Sequence, residues 1–379
     1  MQDPSSENIL NKGIPSVSVQ NKACAAQSKR DTIFTSIYSF LWSRALFLYV
    51  LLSWFGSFFV FIICAAYALH DLFRYVRENL RHTTNPEKAI GDPVWPNFFL
   101  GFALFLIAYW CIEWILLTLD KTSNDAFLRS LQQKFRQYPY FNQSGVVFDG
   151  YSPNEKVHLM KDDRNLFAFH PHGVATCGWM CNGVLHSSFE LLDIKWLVSS
   201  VIFVIPFLRN LMTWSHKGPV KKSHMIELMS SGHNIALLPG GFEEATLYKR
   251  NQPILYISKR AGFIKLALKF GYKIFPVYTF GEEQTYHNLQ SFLSWRLALN
   301  RLKIPGIVVR GIWWCPLLPS SGIRLITVVG KPLLLPKISQ PTDQDVQNFH
   351  AKYIQALQSL FDSNKAKYGR DPHAKLIIL

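Results

Sequence analysis

No CxxC pair, no HExxH helix motif and no GxSxG turn occurs anywhere in this chain, and acidic residues are few: 25 Asp and Glu stand against 40 Lys and Arg. Each absence narrows the field. Without CxxC spacing, the six cysteines (Cys24, Cys64, Cys111, Cys177, Cys181 and Cys315) read as reduced thiols and not as a disulfide framework or zinc cradle. Without GxSxG there is no strand-to-helix turn to raise a serine nucleophile, and without HExxH a metal hydrolase lacks a clear ligand set. The chain start lacks the charged opening and short apolar core of a signal peptide, and no internal repeat is visible.

The acid deficit leaves a formal charge of +15, which favours an anionic partner: a phospholipid surface, a CoA or nucleotide phosphate, or nucleic acid. Hydrophobic residues make up 49% and aromatics 15%, which puts the membrane ahead and nucleic acid behind. Residues 1–40 are mostly polar and aperiodic and read as a disordered tail. Residues 41–120 hold two long apolar runs, 45–69 and 97–119, each exceeding the roughly 18 residues that mark a membrane helix. They are expected to form a transmembrane hairpin, with Glu113 placed near an interface or against protein. Basic residues are level on the two sides of these runs, so charge does not orient the hairpin.

From residue 121 to 379 short apolar runs alternate with helical periods, the mark of an α/β domain with a mixed sheet flanked by helices. Strands are expected at 166–169, 235–238, 273–280 and 324–329. Helices are expected at 223–231, at 257–271 with Gly271 as its cap, and behind a Thr342/Asp345 start, where Val346, Phe349, Tyr353, Leu357 and Leu360 share one face. The segment 288–319 interleaves aromatics with Arg and Lys; it fits either a membrane interface or the core and loops of the domain.

Three features carry chemistry. The first is FHPHG, directly after the apolar strand LFAF: in extended geometry His170 and His172 share a face, so one can act as base while the other orients it, or both can bind a metal. The second is LPGGFEE, where Gly240 and Gly241 let the backbone approach a ligand and present N–H groups to an oxyanion or phosphate, while Glu243 or Glu244 polarises a histidine. The third is PVY behind a basic stretch whose Lys259, Arg260 and Lys265 could meet CoA phosphates.

With FHPHG, the PFLR ending at Arg209, PGGFEEATL, KRAGFIKLALKFG leading into PVYTFGE, GKPLLLP and LFDSNKAKYG, the chain resembles the type-two diacylglycerol acyltransferase family, which includes monoacylglycerol and wax-ester acyltransferases. The resemblance implies an acyl-CoA-dependent enzyme that makes triacylglycerol from diacylglycerol with no cofactor or metal. It also implies an endoplasmic reticulum protein with its catalytic domain facing the cytosol, with lipid droplets as a second location. Its substrate contacts are assigned to Pro171, Gly173, Arg209, Gly240, Gly241, Arg260 and Lys265, and its catalysis to His172, with His170, Glu244 and Glu243. More distantly the order of motifs looks like the glycerolipid acyltransferase superfamily, whose usual motif is a His followed after four intervening residues by an Asp. Here Ala175 and Cys177 stand five residues after His170 and His172, so the orienting carboxylate falls to Glu244 or Glu243. Asn210 and Glu283-Gln284 also depart from the closer family's pattern. The acceptor stays open among diacylglycerol, monoacylglycerol and a fatty alcohol, as does a homo-oligomer. The rival readings are a metal-dependent lipid hydrolase and a non-catalytic lipid-droplet protein.

Overall fold

The computed structural model describes residues 125–137, 140–151, 164–204 and 208–379, with Phe73, Arg77 and Cys111 as isolated positions before them. The tail and, apart from Cys111, both apolar runs lie outside the described residues. Among the described residues no helix is long and apolar enough to cross a membrane.

The domain is a mixed α/β structure built on a seven-stranded sheet. Its strands, in chain order, are β1 (Gln143–Phe148), β2 (Asn165–His170), β3 (Lys195–Val198), β4 (Lys217–Pro219), β5 (Ile235–Leu237), β7 (Lys273–Phe280) and β10 (Arg324–Val329). In space they run β1-β10-β7-β2-β5-β3-β4. From β7 to β4 all neighbours are parallel; β10 is antiparallel to β7 and carries β1 parallel to itself. Two-stranded ribbons form from β6 (Ile254–Leu255) with β11 (Ile377–Ile378), and from β8 (His287–Asn288) with β9 (Val309–Arg310).

The helices are α1 (Asp125–Gln137), α2 (Leu208–Trp214), α3 (Lys222–Ser230), α4 (Gly241–Leu247), α5 (Gly262–Phe270), α6 (Leu293–Arg301) and α7 (Asp343–Tyr368). The α7 start is the expected capping box: Thr342 and Asp345 satisfy one another's backbone N–H groups. Gly271 closes α5 in the left-handed conformation, again as expected. One expectation needs correction. The helix forecast from residue 257 begins only at Gly262, because the parallel pairing of β6 with β11 runs on to Ile257, whose N–H bonds the Leu379 carbonyl, and holds that stretch extended. Lys259 and Arg260 therefore sit in a turn and not on a helix face.

Every residue of β2 is buried, as a central strand with both faces covered must be. Leu166 and Ala168 face the main core with Ile264, Leu357 and Phe361 of α5 and α7. Phe167 and Phe169 face an aromatic layer in which Phe167 stacks on Phe275 at 4.8 Å and Phe169 meets Trp196 at 5.7 Å. The consequence for function is geometric. Because β2, β5 and β7 are parallel neighbours, the loops leaving their C-terminal ends, FHPHG, LPGGFEE and FGEE, emerge at the same edge of the sheet.

Candidate active site

At the end of β2 the two histidines part. The strand stops at His170, the chain turns through Gly173 at φ 61°, and the alternation expected to place both rings on one face does not extend to His172. His170 is fully buried beside Tyr278 of β7, and its Nε2 lies 2.9 Å from the Tyr353 hydroxyl of α7. Burial holds the imidazole down at about 3, so it is neutral, and burial with the charge of Glu244 keeps the Tyr353 phenol well above its usual value. Both groups are therefore uncharged, and a neutral hydrogen bond joins them. His172 keeps partial solvent exposure, and its Nδ1 lies 3.0 Å from the Gly173 carbonyl. Burial lowers its pKa too, opposed by the Gly173 carbonyl and the charge of Glu243. A neutral ring with its Nδ1 proton given to a carbonyl leaves Nε2 as the acceptor.

Glu244 holds this arrangement, though not in the way its spacing suggested. Its carboxylate accepts the backbone N–H of His172 and, at 2.7 Å, that of Tyr256. It thus fixes the histidine through the main chain and not through the ring. Glu244 is almost wholly buried, and burial pushes its carboxyl up to about 7 against the two N–H bonds and the charge of Arg260. Glu243, next along α4, pairs instead with Arg260, whose guanidinium lies 5.3 Å over the Tyr256 ring. Gly241 adopts φ 62°, a conformation that favours glycine. A Cβ on Gly240 would collide with the Glu244 side chain, so the room left by that glycine is filled by the protein's own carboxylate.

A second buried carboxylate was not foreseen. Glu282, just beyond β7, accepts the N–H groups of Cys177 at 3.0 Å and Gly178 at 2.6 Å, where a π-helical turn (Gly178–Val184) begins. It also occupies the space that a Cβ on Gly173 would need. Burial raises it to about 8 against those two bonds. Its signal in the sequence was a second strand running into glycine and acids, TFGEE, that parallels LPGGFEE. Tyr353 was read only as a packing residue, and 183 positions separate it from His170. Cys177 is buried among Phe141, Ile323 and Leu325, and burial, then the charge of Glu282, pushes its thiol well up, so no thiolate forms there near neutral pH.

The remaining expected residues do not all gather here. Pro171 and Gly173 form the loop itself, and Arg260 stands beside it through Glu243. Lys265 is exposed on α5, 3.4 Å from Asp343 at the start of α7. Arg209 lies on α2, which packs along β4, three strands away from β2. Among the described residues, no group of three or more His, Cys, Asp or Glu side chains could hold a metal ion.

The comparisons fit this order of motifs. The pattern of the diacylglycerol acyltransferase family matches residues 98–379, which include every element described. The chain belongs to that family. It is 33% identical to diacylglycerol O-acyltransferase 2 of Dictyostelium discoideum over 243 residues, covering 60% of this chain and 71% of that protein. It is likewise 33% identical to diacylglycerol O-acyltransferase 2-like protein 6 of Mus musculus over 259 residues, 61% of this chain and 76% of that one. Acyl-CoA wax alcohol acyltransferase 1 of Homo sapiens is 31% identical over 238 residues, 58% of this chain and 72% of that protein.

Proposed function

We propose that the protein transfers a fatty acyl chain from acyl-CoA to diacylglycerol, giving triacylglycerol and CoA, with His172 as the base. In this reaction His172 Nε2 takes the proton of the lipid hydroxyl as its oxygen attacks the thioester carbonyl. The tetrahedral intermediate collapses with loss of the CoA thiolate, which recovers the proton from the imidazolium. The observation that carries the reading is His172 itself. It is the part-exposed histidine of the FHPHG loop, held neutral and fixed by Glu244 where three parallel strands end, in a chain of the diacylglycerol acyltransferase family.

His170 and Tyr353 brace the loop from beneath, and Glu282 braces it from the side. The backbone of Gly241 is our assignment for the oxyanion contact, Glu244 filling the room beside Gly240, and Arg260 for the CoA phosphates, its pair with Glu243 exchanging for the ligand. Lys265 and Arg209 stand apart from this cluster, so contacts of theirs with CoA would be peripheral. Around this domain we place the apolar runs 45–69 and 97–119 as a hairpin in the endoplasmic reticulum membrane, with the catalytic domain on the cytosolic side and lipid droplets as a second location. The order of the motifs supports kinship with the glycerolipid acyltransferase superfamily.

The test supplies labelled acyl-CoA to membranes containing the protein, with diacylglycerol, monoacylglycerol and long-chain alcohol in parallel. Wild type should make labelled triacylglycerol, and His172→Ala should lower turnover by roughly 10²- to 10⁴-fold, the scale of base catalysis. Ester formed at the wild-type rate by the variant would remove His172 from the chemistry. The similarity to the human wax alcohol enzyme favours a second reading, transfer to a fatty alcohol, and dominant wax ester in the same assay would select it.

A further inference from the structure

The ribbon and helix that follow the site are built inside out. Along 288–306 the side chains of Asn288, Arg296 and Asn300 turn inward. Arg296 is buried and donates to the carbonyls of Gly306 at 2.7 Å, Thr246 at 2.9 Å and Leu289, and to Asn288 Oδ1 at 3.0 Å. Asn300 accepts from Thr246 Oγ1 at 3.1 Å and from the Gly306 N–H at 3.0 Å. These bonds clamp the segment to α4, the helix that carries Glu243 and Glu244. The apolar side chains turn outward: Phe292, Trp295, Leu302 and Ile304 here, and Trp313 and Trp314 just beyond β9, are exposed, Trp295 and Trp313 to more than four-fifths. A soluble helix presents the opposite arrangement, with its apolar stripe on the core. A patch of this kind on a rigid platform marks a surface with an apolar partner.

Its charge says which partner. Between Glu283 and Asp343 the chain holds no Asp or Glu and seven Lys or Arg, of which Arg301, Lys303 and Arg310 are exposed around the aromatics. Two copies of this surface would set like charges against each other, whereas a phospholipid leaflet offers acyl chains to the rings and anionic headgroups to the rim. We propose that this surface, centred on α6 and the tryptophans after β9, docks on the headgroup region of a membrane containing anionic phospholipid. It acts in addition to the apolar runs of the N-terminal half and sets α4, and with it the His172 loop, next to the leaflet that holds the acceptor. The proposal deepens the reading of the protein as a lipid acyltransferase, on which it rests for the membrane location of that acceptor.

The full chain, reconstituted in phosphatidylcholine and phosphatidylserine vesicles with bromine on the upper acyl chains, tests it by fluorescence. The emission that wild type has and Trp295→Phe/Trp313→Phe/Trp314→Phe lacks belongs to these three rings. Quenching of more than half of that difference by the brominated lipid is the expected result. This readout is independent of catalysis, so a protein inactive on every acceptor would sink the proposed reaction and still decide the surface. A second variant, Trp295→Glu/Trp313→Glu/Trp314→Glu, should lose about tenfold in turnover on long-chain diacylglycerol in vesicles and little on a water-dispersed short-chain analogue; a tenfold factor corresponds to about 1.4 kcal/mol. Unquenched difference emission overturns the proposal. So does an equal loss on both acceptors, which would make the patch a support of the fold. Unquenched emission together with a dimer in detergent that the Glu variant separates would assign the surface to a second copy instead.

Discussion

Replacing Glu244 by alanine tests whether the buried carboxylate is what holds the catalytic loop. It removes the acceptor for two N–H groups, those of His172 and Tyr256. A buried donor left without a partner costs about 1–3 kcal/mol, so the pair amounts to about 2–6 kcal/mol before the wild-type carboxylate's own cost is counted. That cost depends on pH with a definite sign. The carboxyl is raised in the folded protein from its ordinary 4.5 to about 7, so the stability it contributes is fully present below pH 4.5 and is lost as pH rises through 7. The loss amounts to about 3 kcal/mol. Alanine should therefore destabilise most in acid, and the gap to wild type should narrow as pH rises towards 8. Glu244→Gln keeps one acceptor and does not titrate, so its unfolding temperature should decline less than that of wild type over the same interval, the remaining decline following Glu282. Freed from Glu244, His172 shifts from its place, and a misplacement of about 1 Å is worth about 10²-fold in rate, so kcat should fall with KM less affected. The assay is thermal unfolding of the full chain in detergent between pH 4 and 8, on the order of 2–4 °C per kcal/mol for a domain of this size, beside initial rates of acyl transfer. A gap that widens with pH, or an alanine variant with wild-type kcat, would refute the role given to Glu244.

Other perturbations separate the remaining parts of the site. Tyr353→Phe removes the hydroxyl partner of His170 Nε2 and should cost about 1–3 kcal/mol, read as a lower unfolding temperature, with the acceptor preference unchanged. Gly173→Ala sets a Cβ against the Glu282 carboxylate at a positive φ and should abolish most acyl transfer in protein that still reaches the membrane; full activity would show that the loop relaxes freely. Cys177→Ala should leave turnover undiminished, since the buried thiol is held protonated, and a large loss would revive a covalent acyl-cysteine route. Because burial lowers the pKa of His172, the acid limb of kcat/KM should lie below pH 6.5; a limb above that value would point to a different base.

Much of the fold was legible because its signals are local. The strand at 273–280, the glycine that caps α5 and the Thr342/Asp345 box all report on neighbours within a few residues, and each forms where the pattern placed it. What the pattern could not reach were meetings between distant segments. The amides of Ile257 and Ser258 are claimed by the last residue of the chain, and the partner of His170 comes from a helix whose periodicity gave Tyr353 only a packing role.

The site shows the same limit in a sharper form. Gly240 was read as a clearance through which a ligand approaches the backbone, and Gly173 was assigned a substrate contact. Each instead faces a buried glutamate: a Cβ at Gly173 would strike Glu282, and one at Gly240 would strike Glu244. Each of these carboxylates spends both its oxygens on main-chain N–H groups of the segments that follow β2 and β6. Sequence records such a bond only on the acid's side, since an amide donor is present in every residue but proline. The glycine opposite is thus the visible half of a glycine–glutamate pair. The loop that carries His172 is fixed by two such pairs, one from β5 and one from β7, which is why a part-exposed histidine can hold a defined position before any substrate arrives.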